Sequence, residues 1–135
     1  MRFYFVDRIT ELTPGKTIRG FKNVSMSEPY FSTHFPRFPV LPGVIIIEAM
    51  AQLAGAGLLA GDPYVRSLSG DLLGVLASVR KCVFKHPVLP ERDVHYTIQC
   101  RQMAPMAVQV AASVSAPRTE ASHCEARSGI ASRCS

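Results

Sequence analysis

Glu48 is the residue whose chemistry is least expected from its surroundings, because it lies in the apolar run Gly43–Ala60 (GVIIIEAMAQLAGAGLLA). A buried carboxylate loses its hydration, so this run favours a Glu48 that holds its proton and can act as a general acid. Gln52 follows four residues later, on the same face of a helix, where its amide can hydrogen-bond the carboxyl group. A purely structural glutamate, satisfied by Gln52 or by an arginine elsewhere, fits the same pattern.

His34 is the second ionisable candidate. It stands in the segment Thr33-His34-Phe35-Pro36, where neighbouring rings would exclude water from the imidazole and keep it neutral. A neutral imidazole can act as a base, although a loop histidine with only a hydrogen-bonding role fits the same residues. The other histidines and the four cysteines lack the spacing of a metal site, so no metal is predicted.

The start of the apolar run supplies a third element. Pro42 ends the preceding loop, and Gly43 allows a ligand to come close to the backbone. The N–H groups of Gly43 and Val44 have no partner inside a helix, and the helix dipole favours negative charge beside them. A thioester carbonyl that gains enolate character would be stabilised there. An ordinary helix start has the same groups.

The rest of the sequence divides into elements that must position these groups. Aromatic and β-branched residues on either side of Thr13-Pro14-Gly15-Lys16 predict a hairpin of Arg2–Leu12 and Thr17–Ser25. Ser27–Pro42 holds four prolines and three phenylalanines, which predicts an ordered, irregular, packed loop. Apolar residues on every face of the Gly43–Ala60 run predict a buried helix. Four strands are predicted after it: Asp71–Phe84, Arg92–Met103, Met106–Ala116 and Ala121–Ser132.

Length and composition narrow the class of protein. A chain of 135 residues fits one α+β domain, 1–135, and its 47% hydrophobic and 19% charged residues exclude an intrinsically disordered protein. The net charge of +5 favours an acidic partner, which fits nucleic acid, an anionic membrane or an acidic carrier protein. Glu48 and Gln52 inside the apolar run argue against a membrane span. The opening residues lack a signal-peptide pattern and reduced thiols are the default, so we expect a cytoplasmic protein.

The three candidate elements fall within one recognisable stretch. His34-Phe35-Pro36, five residues, and then Pro42-Gly43-Val44, continued by Glu48-Ala49-Met50-Ala51-Gln52, resembles the signature of the FabZ-like 3-hydroxyacyl-acyl-carrier-protein dehydratases. Phe5-Val6-Asp7-Arg8 and Phe84-Lys85-His86-Pro87-Val88-Leu89-Pro90 look like further parts of that family. The resemblance covers nearly the whole chain and is weakest after about Ala116. It implies the hotdog fold, in which a curved antiparallel sheet wraps a long central helix.

The resemblance also implies a reaction. His34 would remove the α-proton of a 3-hydroxyacyl thioester, and Glu48 would protonate the departing β-hydroxyl. The N–H of Gly43, with that of Val44, would polarise the thioester carbonyl, and Gln52 would position Glu48. In the family the active site forms across a dimer interface, with the histidine from one subunit and the glutamate from the other. Whether such dimers associate into higher oligomers is a question that the sequence leaves open.

The same resemblance implies no cofactor, since the acyl chain arrives on the phosphopantetheine arm of an acyl carrier protein. That acidic carrier, rather than nucleic acid, would account for the basic charge. The possible carrier contacts are Arg80, Lys81, Lys85 and Arg101. A solvated basic face without a carrier fits these residues equally well.

Departures from the family pattern bear on substrate choice. Glu48 stands where the dehydratase/isomerase relatives carry aspartate, which favours simple dehydration. Thr33 and Arg37 replace glycines, and the family's Leu-Pro-His-Arg-Tyr-Pro segment has no counterpart. Fatty-acid synthesis and a specialised pathway, such as polyene or polyketide assembly, therefore stay open. Two other functions also stay open: a non-catalytic or partner-dependent hotdog subunit of a hetero-oligomer, and an acyl thioesterase.

Overall fold

The computed structural model of the chain describes residues 3–13, 15–61, 73–104, 107–116 and 124–133. The predicted hairpin, helix and later strands are present, and a short helix is added within the proline-rich loop. Predicted bounds at Arg2, Asp71, Met106 and Ala121 lie outside the described residues. In chain order the elements are β1 (Arg8–Thr13), β2 (Thr17–Val24), α1 (Tyr30–Thr33), α2 (Gly43–Gly61), β3 (Leu73–Phe84), β4 (Arg92–Ala104), β5 (Ala107–Ser115) and β6 (Cys124–Arg133).

The strands form one antiparallel sheet in the order β1-β2-β4-β5-β6-β3. Strand β2 pairs with β1 on one side and with β4 on the other. Its pairing with β4 runs from Thr17 opposite Gln99 to Val24 opposite Arg92. Strand β3 pairs with β6, the last strand of the described residues. Strands β1 and β3 are therefore the two edges, and among the described residues nothing pairs with the outer edge of β3.

Helix α2 is enclosed by the sheet on its core-facing side. It contacts β1, β2 and β4 and also β3 and β6, so the sheet curves around it. Ile46, Met50 and Leu53 are buried in this contact. Glycine allows the close approach: at Gly20 in β2, the methyl carbons of Leu53 lie 2.7 and 2.8 Å from where a Cβ would stand. A central helix within a curved antiparallel sheet is the α+β layout that the resemblance implies.

The opposite face of α2 is not covered by the residues that the structure describes. The prediction of a helix buried on every face is wrong here, since Val44 is 69% exposed, Ala56 is exposed, and Ile45 and Ile47 are only half-buried. An apolar surface of this kind is typical of a site that another molecule covers. No helix of the described ranges combines the length and the hydropathy that crossing a bilayer requires.

The loop between β2 and α2 is packed at its ends and open in the middle. Tyr30 and Phe31 of α1 and Leu41 before α2 are buried in the core. Phe35 and Phe38 are instead 61% and 56% exposed, so the prediction of a packed loop is wrong at its centre. The central rings are therefore available to contact another molecule.

Lys22 connects this loop to the segment that precedes β1. Its side chain is only 12% exposed, and its Nζ lies 3.1 Å from Oδ1 of Asp7 and 3.3 Å from Oε1 of Glu28. The other oxygen of Asp7, Oδ2, accepts a 2.7 Å hydrogen bond from the N–H of Asn23. Lys22 of β2 thus links the segment before β1 to the loop that carries His34.

Candidate active site

Glu48 lines a cavity of about 820 Å³ beside α2, and Gln52 holds its carboxyl group in place. The Nε2 of Gln52 donates to Oε1 of Glu48 at 3.2 Å and to the carbonyl oxygen of Phe3 at 2.9 Å. Its Oε1 accepts the N–H of Phe5 at 3.0 Å. The hydrogen bond that the four-residue spacing predicts is therefore present, and Glu48 is half-buried.

The segment before β1 forms one wall of this cavity, which sequence analysis did not foresee. Phe3, Tyr4 and Val6 line the cavity, while Phe5 is buried with its ring 4.8 Å from that of Phe3. The segment is held through its backbone by Gln52, 47 and 49 residues away in sequence. No local pattern signals such a contact, because a backbone N–H and C=O are present at almost every position.

His34 lines a second cavity, of about 420 Å³, together with Gly43 and Val44. Its backbone N–H donates to the carbonyl oxygen of Tyr30 at 2.9 Å and so closes α1. Its half-buried imidazole contacts the ring of Phe35, with centroids 4.5 Å apart and planes tilted by 58°. The structure thus confirms an aromatic neighbour for His34, although one that is largely exposed.

Phe35 has a backbone φ of 52°, in the left-handed region. A residue with a Cβ pays about 1–2 kcal/mol for this conformation, which persists only where surrounding structure enforces it. Here the N–H of Phe38 donates to the carbonyl oxygen of Phe35 at 2.9 Å, and the N–H of Leu41 donates to that of Val88 at 2.7 Å. The strained residue therefore lies directly beside the candidate base.

The first two N–H groups of α2 have no acceptor among the described residues, as the sequence predicts. The first helical bonds come from Ile45 and Ile46, whose N–H groups lie 3.0 and 3.3 Å from the carbonyl oxygen of Pro42. The space that Gly43 leaves is filled by the ring of Phe84, which comes within 2.7 Å of where a Cβ would stand. Glycine at this position thus makes room for a side chain of the same protein, whereas the sequence predicts that the space admits a ligand.

The predicted carrier contacts are all exposed, but the structure does not bring all four together. Arg80 and Lys81 lie on edge strand β3, and Lys85, which lines the His34 cavity, follows its end. Arg101 is on β4, in the sheet row that passes through β5 and β6 to Ser78. Three strand spacings separate Arg101 from β3, or about 14 Å.

His34 and Glu48 line different cavities of the same chain. The His34 cavity holds the imidazole and the two unbonded N–H groups, and the Glu48 cavity holds the carboxyl group with its supporting amide. Within the described residues, no group of three or more His, Cys, Asp or Glu side chains is placed to hold a metal ion. The described residues of one chain therefore place the two sets of candidate groups in separate cavities.

Comparisons with known proteins assign the family. A family model for the FabA-like domain matches residues 1–118. The chain belongs to the FabA-like family. The 3-hydroxyacyl-[acyl-carrier-protein] dehydratase FabZ of Dechloromonas aromatica is 43% identical over 102 residues, which cover 75% of this chain and 69% of that protein. FabZ of Shewanella pealeana is 43% identical over 72% of this chain and 62% of its own length. FabZ of Bacillus subtilis is 38% identical over 72% of this chain and 65% of its own length.

Solved structures confirm the fold. The dehydratase heterocomplex ApeI:P from Xenorhabdus doucetiae superposes with a TM-score of 0.74 at 16% identity, covering 98% of this chain and 84% of that chain. A hot-dog-like protein from Thermanaerovibrio acidaminovorans gives a TM-score of 0.69 at 16% identity, covering 92% of this chain and 85% of that chain. The predicted α+β hotdog fold is therefore confirmed.

Proposed function

We propose that this protein dehydrates (3R)-3-hydroxyacyl chains on an acyl carrier protein to trans-2-enoyl chains, in fatty-acid or related biosynthesis. Membership of the FabA-like family and the similarity to FabZ dehydratases support this activity. The structural observation that supports it most is that His34 and Glu48 line separate cavities, which we propose to be complementary halves of one acid–base site. His34 lies with unbonded N–H groups in one half, and Glu48 lies with Gln52 in the other.

Each group has a defined part in the proposed elimination. His34 accepts the proton from the α-carbon, and the N–H groups of Gly43 and Val44 stabilise the negative charge that develops on the thioester oxygen, each contributing about 3 kcal/mol. Because Gln52 binds Oε1 of Glu48, Oε2 is left to donate a proton to the β-hydroxyl, which leaves as water. Removal of a proton and a hydroxyl group balances without electron transfer, so the proposal needs no cofactor.

The two halves meet if two chains pair through β3. Leu76, near the start of this strand, lines the Glu48 cavity, and Phe84, at its end, lines the His34 cavity. These residues are eight positions, or about 26 Å, apart along the strand. In an antiparallel pairing of two β3 edges, the Leu76 end of one chain lies beside the Phe84 end of the other. Glu48 of the second chain is then carried toward His34 of the first.

The surface of β3 supports this pairing. Its outer edge has no partner among the described residues, and exposed apolar residues lie along it and at its end: Val79, Val83 and Phe84. A long, unpaired and partly apolar edge strand is one that proteins normally cover. We therefore propose a homodimer, with the alternative that a second hotdog subunit occupies the partner position.

An acidic acyl carrier protein is the proposed partner of the basic residues at the same edge. Arg80 and Lys81 on β3 and Lys85 at the His34 cavity are exposed beside the entrance that a phosphopantetheine arm would use. Arg101, three strands away, belongs to a separate part of the surface in this proposal. Contacts of this kind steer association and weaken as salt is added. Since the substrate is a carrier-bound chain, we propose the cytoplasm as the location.

The assay that tests this function starts from purified protein and 3-hydroxyacyl chains on acyl carrier protein. Loss of water is followed by mass spectrometry, and the reverse reaction is followed from the trans-2-enoyl substrate. We expect interconversion in both directions and no release of free thiol. Thiol release would instead identify a thioesterase, and a wild-type protein that converts neither substrate would contradict an enzyme that acts alone.

A partner-dependent subunit is the second candidate, favoured by residues near His34. Thr33 and Arg37 replace glycines of the family and are exposed on either side of the strained Phe35. The solved dehydratase heterocomplex has the same fold, so a mixed dimer is compatible with this architecture. Under this candidate the isolated protein is inactive, and adding a homologous hotdog dehydratase subunit restores turnover above that of the added subunit alone.

A further inference from the structure

Gly55 is a glycine that packing among the described residues does not require. A Cβ at Gly20, Gly43 or Gly57 would collide with a side chain, whereas a Cβ at Gly55 would meet no atom of the described residues within 4 Å. Glycine is among the least favourable residues in a helix interior, and Gly55 lies well inside α2. Its missing side chain instead opens space, because Gly55 lines the same cavity as Glu48.

A track of short side chains leads from Glu48 to this position. Ala51 and Gly55 follow at spacings of three and seven residues, which places all three on one face of α2, and all three line the cavity. Phe3 and Tyr4, both largely exposed, line the cavity from the segment before β1. The track thus starts at a carboxyl group and is bordered by these rings, in a mainly apolar cavity that Asp7 and Arg8 also line.

We propose that the acyl chain of the substrate lies along this track and that Gly55 determines the longest chain accepted. The inference rests on the proposed dehydration, since Glu48 fixes the β-carbon at one end. Seven residues of helix span about 10 Å. An extended chain advances about 1.3 Å per carbon, so it reaches Gly55 about eight carbons beyond the β-carbon. Chains of four carbons end well before Gly55, whereas chains of twelve or more pass it.

The test is a length profile for Gly55→Leu, measured as kcat/KM for 3-hydroxyacyl chains of four, eight, twelve and sixteen carbons on acyl carrier protein. We expect the ratio of the twelve-carbon to the four-carbon value to fall at least about tenfold, because the isobutyl group fills space that only the longer chain uses. Gly55→Phe should move the loss to shorter chains, and Gly55→Ala should change the ratio least. Gln99→Leu, on the exposed surface of β4, is the matched control and should leave the profile as in the wild type.

Other outcomes overturn the inference and remain distinct from failure of the proposed function. An equal loss at every chain length, or an unchanged profile, would show that Gly55 does not determine which acyl chain lengths are accepted. A change in oligomeric mass for Gly55→Leu, by light scattering after size exclusion, would show that the open space is filled by a second copy. Wild-type protein without turnover even at four carbons would contradict the dehydration itself.

Discussion

The two halves of the candidate site are built in different ways. Glu48 stands on a regular helix, and a single side chain, Gln52, ties it to the backbone of Phe3 and Phe5 through three hydrogen bonds. His34 stands on a proline-rich loop, beside an exposed phenylalanine whose backbone is strained. Glu48, the proposed acid, is therefore held by interactions that also stabilise the fold, whereas His34, the proposed base, is held by a local arrangement that contributes little to stability.

This difference separates the expected effects of substitution. On the helix side, loss of support should lower stability and turnover together. On the loop side, turnover should fall while stability changes little. The substitutions below test that separation, from the largest expected effect to the smallest.

His34→Ala and Glu48→Gln should have the largest effects. Each removes a proton-transfer group, so we expect turnover of 3-hydroxyacyl substrate to fall at least about 100-fold. The matched controls are His95→Ala and Glu11→Gln, which change the same residue types at exposed positions on β4 and β1. Near-wild-type rates in either site variant, with the protein folded by circular dichroism, would remove that residue from the mechanism.

Gln52→Leu should reduce stability and turnover together. The variant keeps the size of the side chain but removes three hydrogen bonds, one of them to a carboxyl group, so the free energy of unfolding should fall by about 2–4 kcal/mol. Turnover should fall about tenfold, since Glu48 loses its support. Urea unfolding and steady-state kinetics measure the two effects. Unaltered stability would contradict the anchoring of the segment before β1 by Gln52.

Phe35→Gly should lower turnover while it leaves stability almost unchanged. Glycine relieves the strain of the positive φ but costs more chain entropy on folding, so the free energy of unfolding should change by less than about 1 kcal/mol. Loss of the ring beside His34 should lower turnover about tenfold by loosening the imidazole. Phe38→Gly is the control, because it removes an exposed ring of the same loop. Equal kinetics for the two variants would show that the Phe35 contact does not position His34.

A pair of glycine variants should give the smallest effects, and of opposite sign. Gly43→Ala pushes against the Phe84 ring, which is 47% exposed and can move, so a loss of about 1 kcal/mol is expected. Gly55→Ala meets no atom and should gain up to about 1 kcal/mol through helix propensity. Thermal unfolding followed by circular dichroism measures both. A lower melting temperature for Gly55→Ala would show that the space beside it is not open.

The elements of the fold were predictable because their signals are local. The turn at Thr13-Pro14-Gly15-Lys16 separates the hairpin strands, and the apolar run gives α2. The four-residue spacing of Glu48 and Gln52 gives their hydrogen bond. What could not be predicted from the residue pattern is the strand order, in which β3 pairs with β6 and β2 with β4. Pairings between distant strands depend on contacts that no short window of sequence contains.

The sequence names the candidate residues of the site, but it does not give their arrangement. Spacing placed His34, Gly43 and Glu48 within one stretch, but α2 carries Glu48 away from its first turn and into another cavity. The positive φ of Phe35 has no sequence signal, because such a conformation is normally marked by glycine or asparagine. The exposed apolar face of α2 explains this difference, because apolar residues on every face of a helix also fit a helix that two chains cover together.

A mixing experiment tests the central claim, that one site is assembled from His34 of one chain and Glu48 of another. The inactive variants His34→Ala and Glu48→Gln are exchanged under conditions that allow subunits to recombine, and turnover is compared with that of each variant alone. Random exchange gives half heterodimers, each with one intact site, so activity should recover to about one quarter of the wild-type rate per total site. Mixed variants that recombine, as shown by mass-tagged subunits, yet stay inactive would show that both residues act from the same chain.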